Sequence, residues 1–142
     1  MASSSEVHSH KLSSVVPGAV TGDEVIHELS NMDLAMKLHY LRTVYFFKAS
    51  EVIEGLGILK LKEPIFAMLN FFYLVAGRIR RTESGRPFIR CNDSGVRVIE
   101  AQCDKTIDEW LESEHSSLDG QLAADKVLGP DLPFAPLVYI QV

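Results

Sequence analysis

The sequence predicts an α/β domain, and three stretches carry that prediction. Between Asn31 and Lys48 a short helical turn feeds directly into a run of β-branched and aromatic residues. From Leu61 to Gly77 apolar residues recur at spacings of three and four. From Arg78 to Ala101 short extended runs alternate with turns bearing Gly and Pro. A chain of 142 residues with 46% apolar content has room for one domain and enough apolar surface to bury a core.

Taken in order, Met1 to His10 is polar and Ser-rich and reads as a disordered tail, leaving residues 11–142 as the domain. Lys11 to Val20 reads as an edge strand interrupted at Pro17, and Thr21 to Asp23 as a turn. Ser30 is a helix N-cap with Asp33 three residues on, and Met32, Leu34, Met36 and Leu38 give the following turn its apolar side. Thr43 to Phe47 then reads as a strand buried on both faces. Gly55 and Gly57 mark an irregular link, not a phosphate loop, because neither G-x-G-x-x-G nor a following Gly-Lys-Ser/Thr is present.

The main core helix begins near Lys60 or Leu61. It sets Leu61, Ile65, Met68, Leu69, Phe72 and Val75 on one side, tolerates Pro64 in its first turn and ends at a left-handed Gly77. Arg78–Arg81 and Phe88–Asn92 read as strands, and Asp93-Ser94-Gly95 as a tight turn that pairs the second of these with Val96–Ala101 in a hairpin. Thr106 and Glu109 form a capping box for a short helix that Trp110 anchors to the body. A helical piece at Leu122–Lys126 and the Pro-rich Gly129–Pro136 lead to a last strand, Leu137–Val142. Five of those six residues are apolar, so on the order of 10 kcal/mol of burial depends on their neighbours, and the strand reads as the inside of a larger body.

A net charge of -5 argues against general nucleic-acid binding. Six of the seven arginines nevertheless lie between Arg78 and Arg97, a local basic face read as solvated strand and turn, with contact to the phosphates of a cofactor as the second reading. Cys91 and Cys103 are too far apart for a close-spaced metal pair and read as reduced thiols. MASSSEVHSHK lacks the apolar region of a secretory signal, which places the start of the chain in the cytosol and leaves the Asn92-Asp93-Ser94 sequon unglycosylated. The longest apolar run, Ile65 to Gly77, contains Asn70 and is too short to cross a bilayer.

Several segments, in order along the chain, resemble the N-terminal part of plant BAHD-type acyltransferases: LSNMDLAMKLHYLRTVYFF, FFYLVAGRIR, RPFIRCNDSGVRVIEA and VLGPDLPFAPLVYIQV. MDLAMKLHY, IRCNDSGVRV and VLGPDL are similar in particular to the eceriferum-type proteins of cuticular wax synthesis. The resemblance implies an incomplete N-terminal domain of the two-domain, acyl-CoA-dependent acyltransferase fold (chloramphenicol acetyltransferase-like), with a mixed sheet, flanking helices and an active site between the domains. It also implies that Leu41, Thr43 and Tyr45 stand where family members line the acyl-acceptor pocket, beside the plainer reading of strand packing. His39, on the turn just before that strand, reads first as a packed, hydrogen-bonded histidine and second as a residue lining the substrate channel.

The family's general base is the His of an H-x-x-x-D motif that follows the strand corresponding to Leu137–Val142, and its D-F-G-W-G motif comes later still, so no residue here is assigned a catalytic role. His115-Ser116-Ser117-Leu118-Asp119 spells the motif, but in a polar loop ahead of the VLGPDL segment, and reads as surface. For the eceriferum branch the resemblance implies assistance to the condensing enzyme of a fatty acid elongase at the endoplasmic reticulum, independent of that motif. For the rest of the superfamily it implies acyl transfer from acyl-CoA to a hydroxyl or amine, and a third reading is a short chain that acts by binding.

Overall fold

The computed structural model describes residues 6–22, 24–36, 39, 41–51, 53–112, 121–124 and 134–142. Among the described residues, six strands form two three-stranded sheets, accompanied by three short helices. The first sheet is built on β5 (Val96–Cys103), which pairs antiparallel with β1 (Val7–Val15) on one side and parallel with β6 (Tyr139–Gln141) on the other. The second is an antiparallel set in which β4 (Pro87–Arg90) lies between β2 (Ile26–Glu28) and β3 (Arg78–Arg81). This is the mixed α/β arrangement expected of part of an acyltransferase domain. None of the described helices is long and apolar enough to cross a membrane.

The core sits on one face of the first sheet. Val15, Val96 and Val98 pack there with Leu69 and Ala76, and Ile58, Ile65, Val75, Val138 and Ile140 close around them. Helix α2 (Ile58–Met68) supplies Ile58 and Ile65 at a spacing that returns to the same face after two turns. It begins before the expected start, so Pro64 lies in the interior of the helix and not in its first turn. The helix also ends early: Leu69 to Phe71 turn, and Tyr73–Ala76 form a 3-10 turn. As a result Leu69 is fully buried while Met68 and Phe72 remain exposed.

Gly77 is not left-handed, with φ -75° and ψ -173°. It is glycine because a Cβ there would stand 2.6 Å from the Arg90 carbonyl oxygen and 2.7 Å from Ile89 Cγ2. The expected Phe88–Ala101 hairpin is also corrected. β4 and β5 belong to different sheets, and the chain between them is turned by Asp93 (φ 50°) and Gly95 (φ 81°), whose Cα face lies against the Val15 backbone. The hairpin that does form joins β3 to β4.

At the N-terminus, β1 starts at Val7 instead of Lys11. Val7 is buried opposite Cys103, while the polar residues after it stay at the surface, so a polar stretch reads as tail although its first apolar residue anchors a strand.

The largest departure is Thr43–Phe47, which forms no strand and is mostly exposed. A strand requires a hydrogen-bonding neighbour, and none lies alongside this run among the described residues. Propensity alone does not make one.

Two local predictions match the structure closely. Ser30 and Asp33 exchange hydrogen bonds ahead of α1 (Asn31–Met36), and Thr106 and Glu109 do the same ahead of α3 (Ile107–Glu112). Trp110 is buried and donates its indole N–H to Cys103 Sγ at 2.9 Å.

Candidate functional site

The four residues expected to line an acceptor pocket lie on one segment after α1. The His39 backbone N–H donates to the Met36 carbonyl at 2.8 Å, closing the turn, and its side chain is exposed. Leu41 is fully exposed, Thr43 is exposed, and Tyr45 is 76% exposed with its ring 6.5 Å from that of Phe47. The segment therefore presents an apolar, aromatic surface with one imidazole at its head.

A cavity of about 250 Å³ lies elsewhere, between the Pro17–Thr21 link, Val25 and the pair Asn70 and Tyr73. Asn70 interrupts the longest apolar run because its side-chain oxygen accepts the Ala19 N–H at 2.8 Å, tying the link to the end of α2. Thr21 is held in turn by Asp93, which accepts from its N–H at 2.8 Å and from its hydroxyl at 2.6 Å. None of His39, Leu41, Thr43 or Tyr45 lines this cavity. It is below the size range of ordinary small-molecule sites, roughly 300 to 1,000 Å³.

Titratable groups give little further chemistry. Among the described residues no three of His, Cys, Asp and Glu come together to hold a metal ion. His8 shares hydrogen bonds with Ser9 Oγ at 3.0 Å and Asp104 Oδ1 at 3.1 Å, an arrangement outwardly like a catalytic triad. Its carboxylate and imidazole are exposed, and water screens their interaction. The grouping arises from the irregular pairing between His8 and Lys11, where Ser9 adopts φ 55°, and no sequence spacing announced it.

Burial raises the Cys91 thiol pKa, with Asp93 adding to the effect, so Cys91 is an inert core thiol. The decoy motif His115–Asp119 lies outside the described residues.

The comparisons with known proteins agree on one origin. A family model described as "Transferase family" matches residues 6–142. The chain is similar to Protein ECERIFERUM 2 of Arabidopsis thaliana, 44% identical over 147 residues that cover 97% of this chain and 35% of that protein. It is similar also to Protein ECERIFERUM 26-like of the same organism, 42% identical over 139 residues covering 98% of this chain and 33% of that protein. A Hydroxycinnamoyltransferase of Narcissus pseudonarcissus is 33% identical over 117 residues, covering 80% of this chain and 26% of that protein. The chain thus spans about a third of the length of the curated relatives it matches.

Proposed function

Since this chain belongs to the Transferase family, in its BAHD-type eceriferum branch, we propose that it forms part of a protein that assists very-long-chain fatty acyl elongation for cuticular wax. The observation that carries this reading is the gradient of similarity. Identity of 42 to 44% extends over nearly the whole chain toward the eceriferum proteins and falls to 33% over 80% of it toward a hydroxycinnamoyltransferase.

On this reading the partner is the condensing enzyme of a fatty acid elongase, at the cytosolic face of the endoplasmic reticulum. The segment carrying His39, Leu41, Thr43 and Tyr45 supplies apolar surface, not a base. Conventional acyl transfer from acyl-CoA to a hydroxyl or amine acceptor is the second reading, supported by the similarity to the hydroxycinnamoyltransferase.

A chimera separates the two. This chain replaces the matching third of an eceriferum-type relative and is co-expressed in yeast with an elongase condensing enzyme, and acyl chains are profiled by mass spectrometry. Longer acyl chains support the elongation role. An unchanged profile, with a new ester formed from acyl-CoA and an added alcohol, replaces it with acyl transfer.

A further inference from the structure

β3 carries two guanidinium groups on one face, and only the first is matched. Arg78 is buried, and its side chain donates to the carbonyl oxygens of Gly77 at 2.8 Å, Gly95 at 2.9 Å and Ser94 at 3.0 Å. Arg80, two residues on, is half-buried, yet its Nη1 is shut away from solvent and has no hydrogen-bond acceptor among the described residues. Native proteins rarely leave a buried donor unpaired, and such a donor calls for a partner, which a water or an ion supplies.

The surroundings fit an anion. The Phe134 ring stacks on Arg80 with its centre 3.6 Å from the guanidinium carbon. Stacking occupies a face of the planar group and leaves its in-plane N–H donors available. Phe134 is held at the outer edge of β3 by its backbone N–H, which donates to the Ile79 carbonyl at 3.1 Å. Its side chain is 68% exposed.

Across the β3–β4 ladder Arg80 faces Phe88, and Arg78 faces Arg90. The carboxylate next in that register, Glu28, is two strands away, roughly 10 Å by strand spacing. Burial holds the Arg78 pKa below its ordinary value, and Arg97 and Arg80 push the same way, so positive charge gathers here in a chain of net charge -5.

We propose that Arg80, oriented by Phe134, is an oxyanion site for a phosphate group, whose oxygens the guanidinium fork takes in pairs. The fork matches phosphate geometry, and the neighbouring arginines favour a dianion over a single carboxylate. This site is separate from the Leu41–Phe47 surface and does not depend on the elongation role.

The test is titration of the whole chain with inorganic phosphate at constant ionic strength, followed by the NMR signal of the Arg80 Nε–H, with acetate and chloride as matched controls. Saturable binding stronger than that of acetate is expected. Affinity should fall about tenfold or more in R80Q, and by less in R80K, which keeps the charge without the fork. F134L should weaken binding by loosening the guanidinium. Folding of each variant is checked by its thermal midpoint, and R80K decides the matter if R80Q does not fold. Equal phosphate affinity in wild type and R80K, or a response that chloride reproduces, overturns the site.

Discussion

The Arg78 guanidinium reaches across seventeen residues to hold the Gly95 carbonyl oxygen at 2.9 Å, and with it the crossing from one sheet to the other. Arg78 belongs to the second sheet, while Gly95 leads into β5 of the first. One buried cation, bonded to backbone carbonyls, thus joins the two halves of the structure.

Replacing Arg78 by Met leaves those carbonyl groups buried without a donor. The expected loss is about 3 kcal/mol or more, since each unsatisfied buried group costs roughly 1 to 3 kcal/mol. R78K should lose somewhat less, because an ammonium cannot reproduce the fork. Urea unfolding measures both.

Gly77→Ala introduces a Cβ at 2.6 Å from the Arg90 carbonyl oxygen and should destabilise by about 1 to 3 kcal/mol. Gly57 behaves in the opposite way. It stands at the N-cap of α2 with φ -69° and ψ 159°, has nothing within 4 Å of a built Cβ, and makes no side-chain cap. Gly57→Ser supplies that cap and should raise the thermal midpoint. A fall with G57S, or no change with G77A, contradicts the packing described.

Acid should loosen both capped helices. Hydrogen bonds from the Ser30 side chain and then its backbone hold the Asp33 pKa down, and those from the Thr106 backbone and then its side chain do the same for Glu109. A depressed folded-state pKa stabilises above the unfolded value, and that stabilisation is lost as pH falls through the folded one, here on the acid side of the ordinary Asp and Glu values. NMR titration of the two carboxyl groups should show S30A and T106A moving each pKa back up. Unmoved values contradict the capping boxes.

The two thiols should separate by reactivity. Cys91 is buried with its pKa raised, and Cys103 is exposed. Iodoacetamide at neutral pH should modify Cys103 first in the native chain and both in denaturant, as read by peptide mass spectrometry. Early modification of Cys91 would place it outside the core.

Local signals were legible in the sequence and pairings were not. The capping residues Ser30 and Thr106 bond three residues away, so their role is written within one turn of helix. The strand at Arg78–Arg81 matched its expected bounds, because glycine and a turn delimit it. Val96–Ala101 was recognisable as a strand, which runs on to Cys103, but its partner was not. Pairing with β1 depends on the approach of Gly95 to Val15, contact between residues 80 apart in sequence. Thr43–Phe47 shows the same limit from the other side: aromatic and β-branched residues announce a strand, and only a neighbour makes one. Of the candidate site, the resemblance located the segment carrying His39, Leu41, Thr43 and Tyr45. Nothing in their spacing foretold their exposure, nor the ties of Asn70 to Ala19 and of Thr21 to Asp93.

On the proposed elongation role this chain contributes surface and framework, and His115 is not a reactive imidazole. His115→Ala, made in the eceriferum-type chimera co-expressed with the elongase condensing enzyme, tests it directly. An acyl-chain profile identical to that of the unmutated chimera is predicted. Loss of chain lengthening, with protein level and thermal midpoint unchanged, would contradict it.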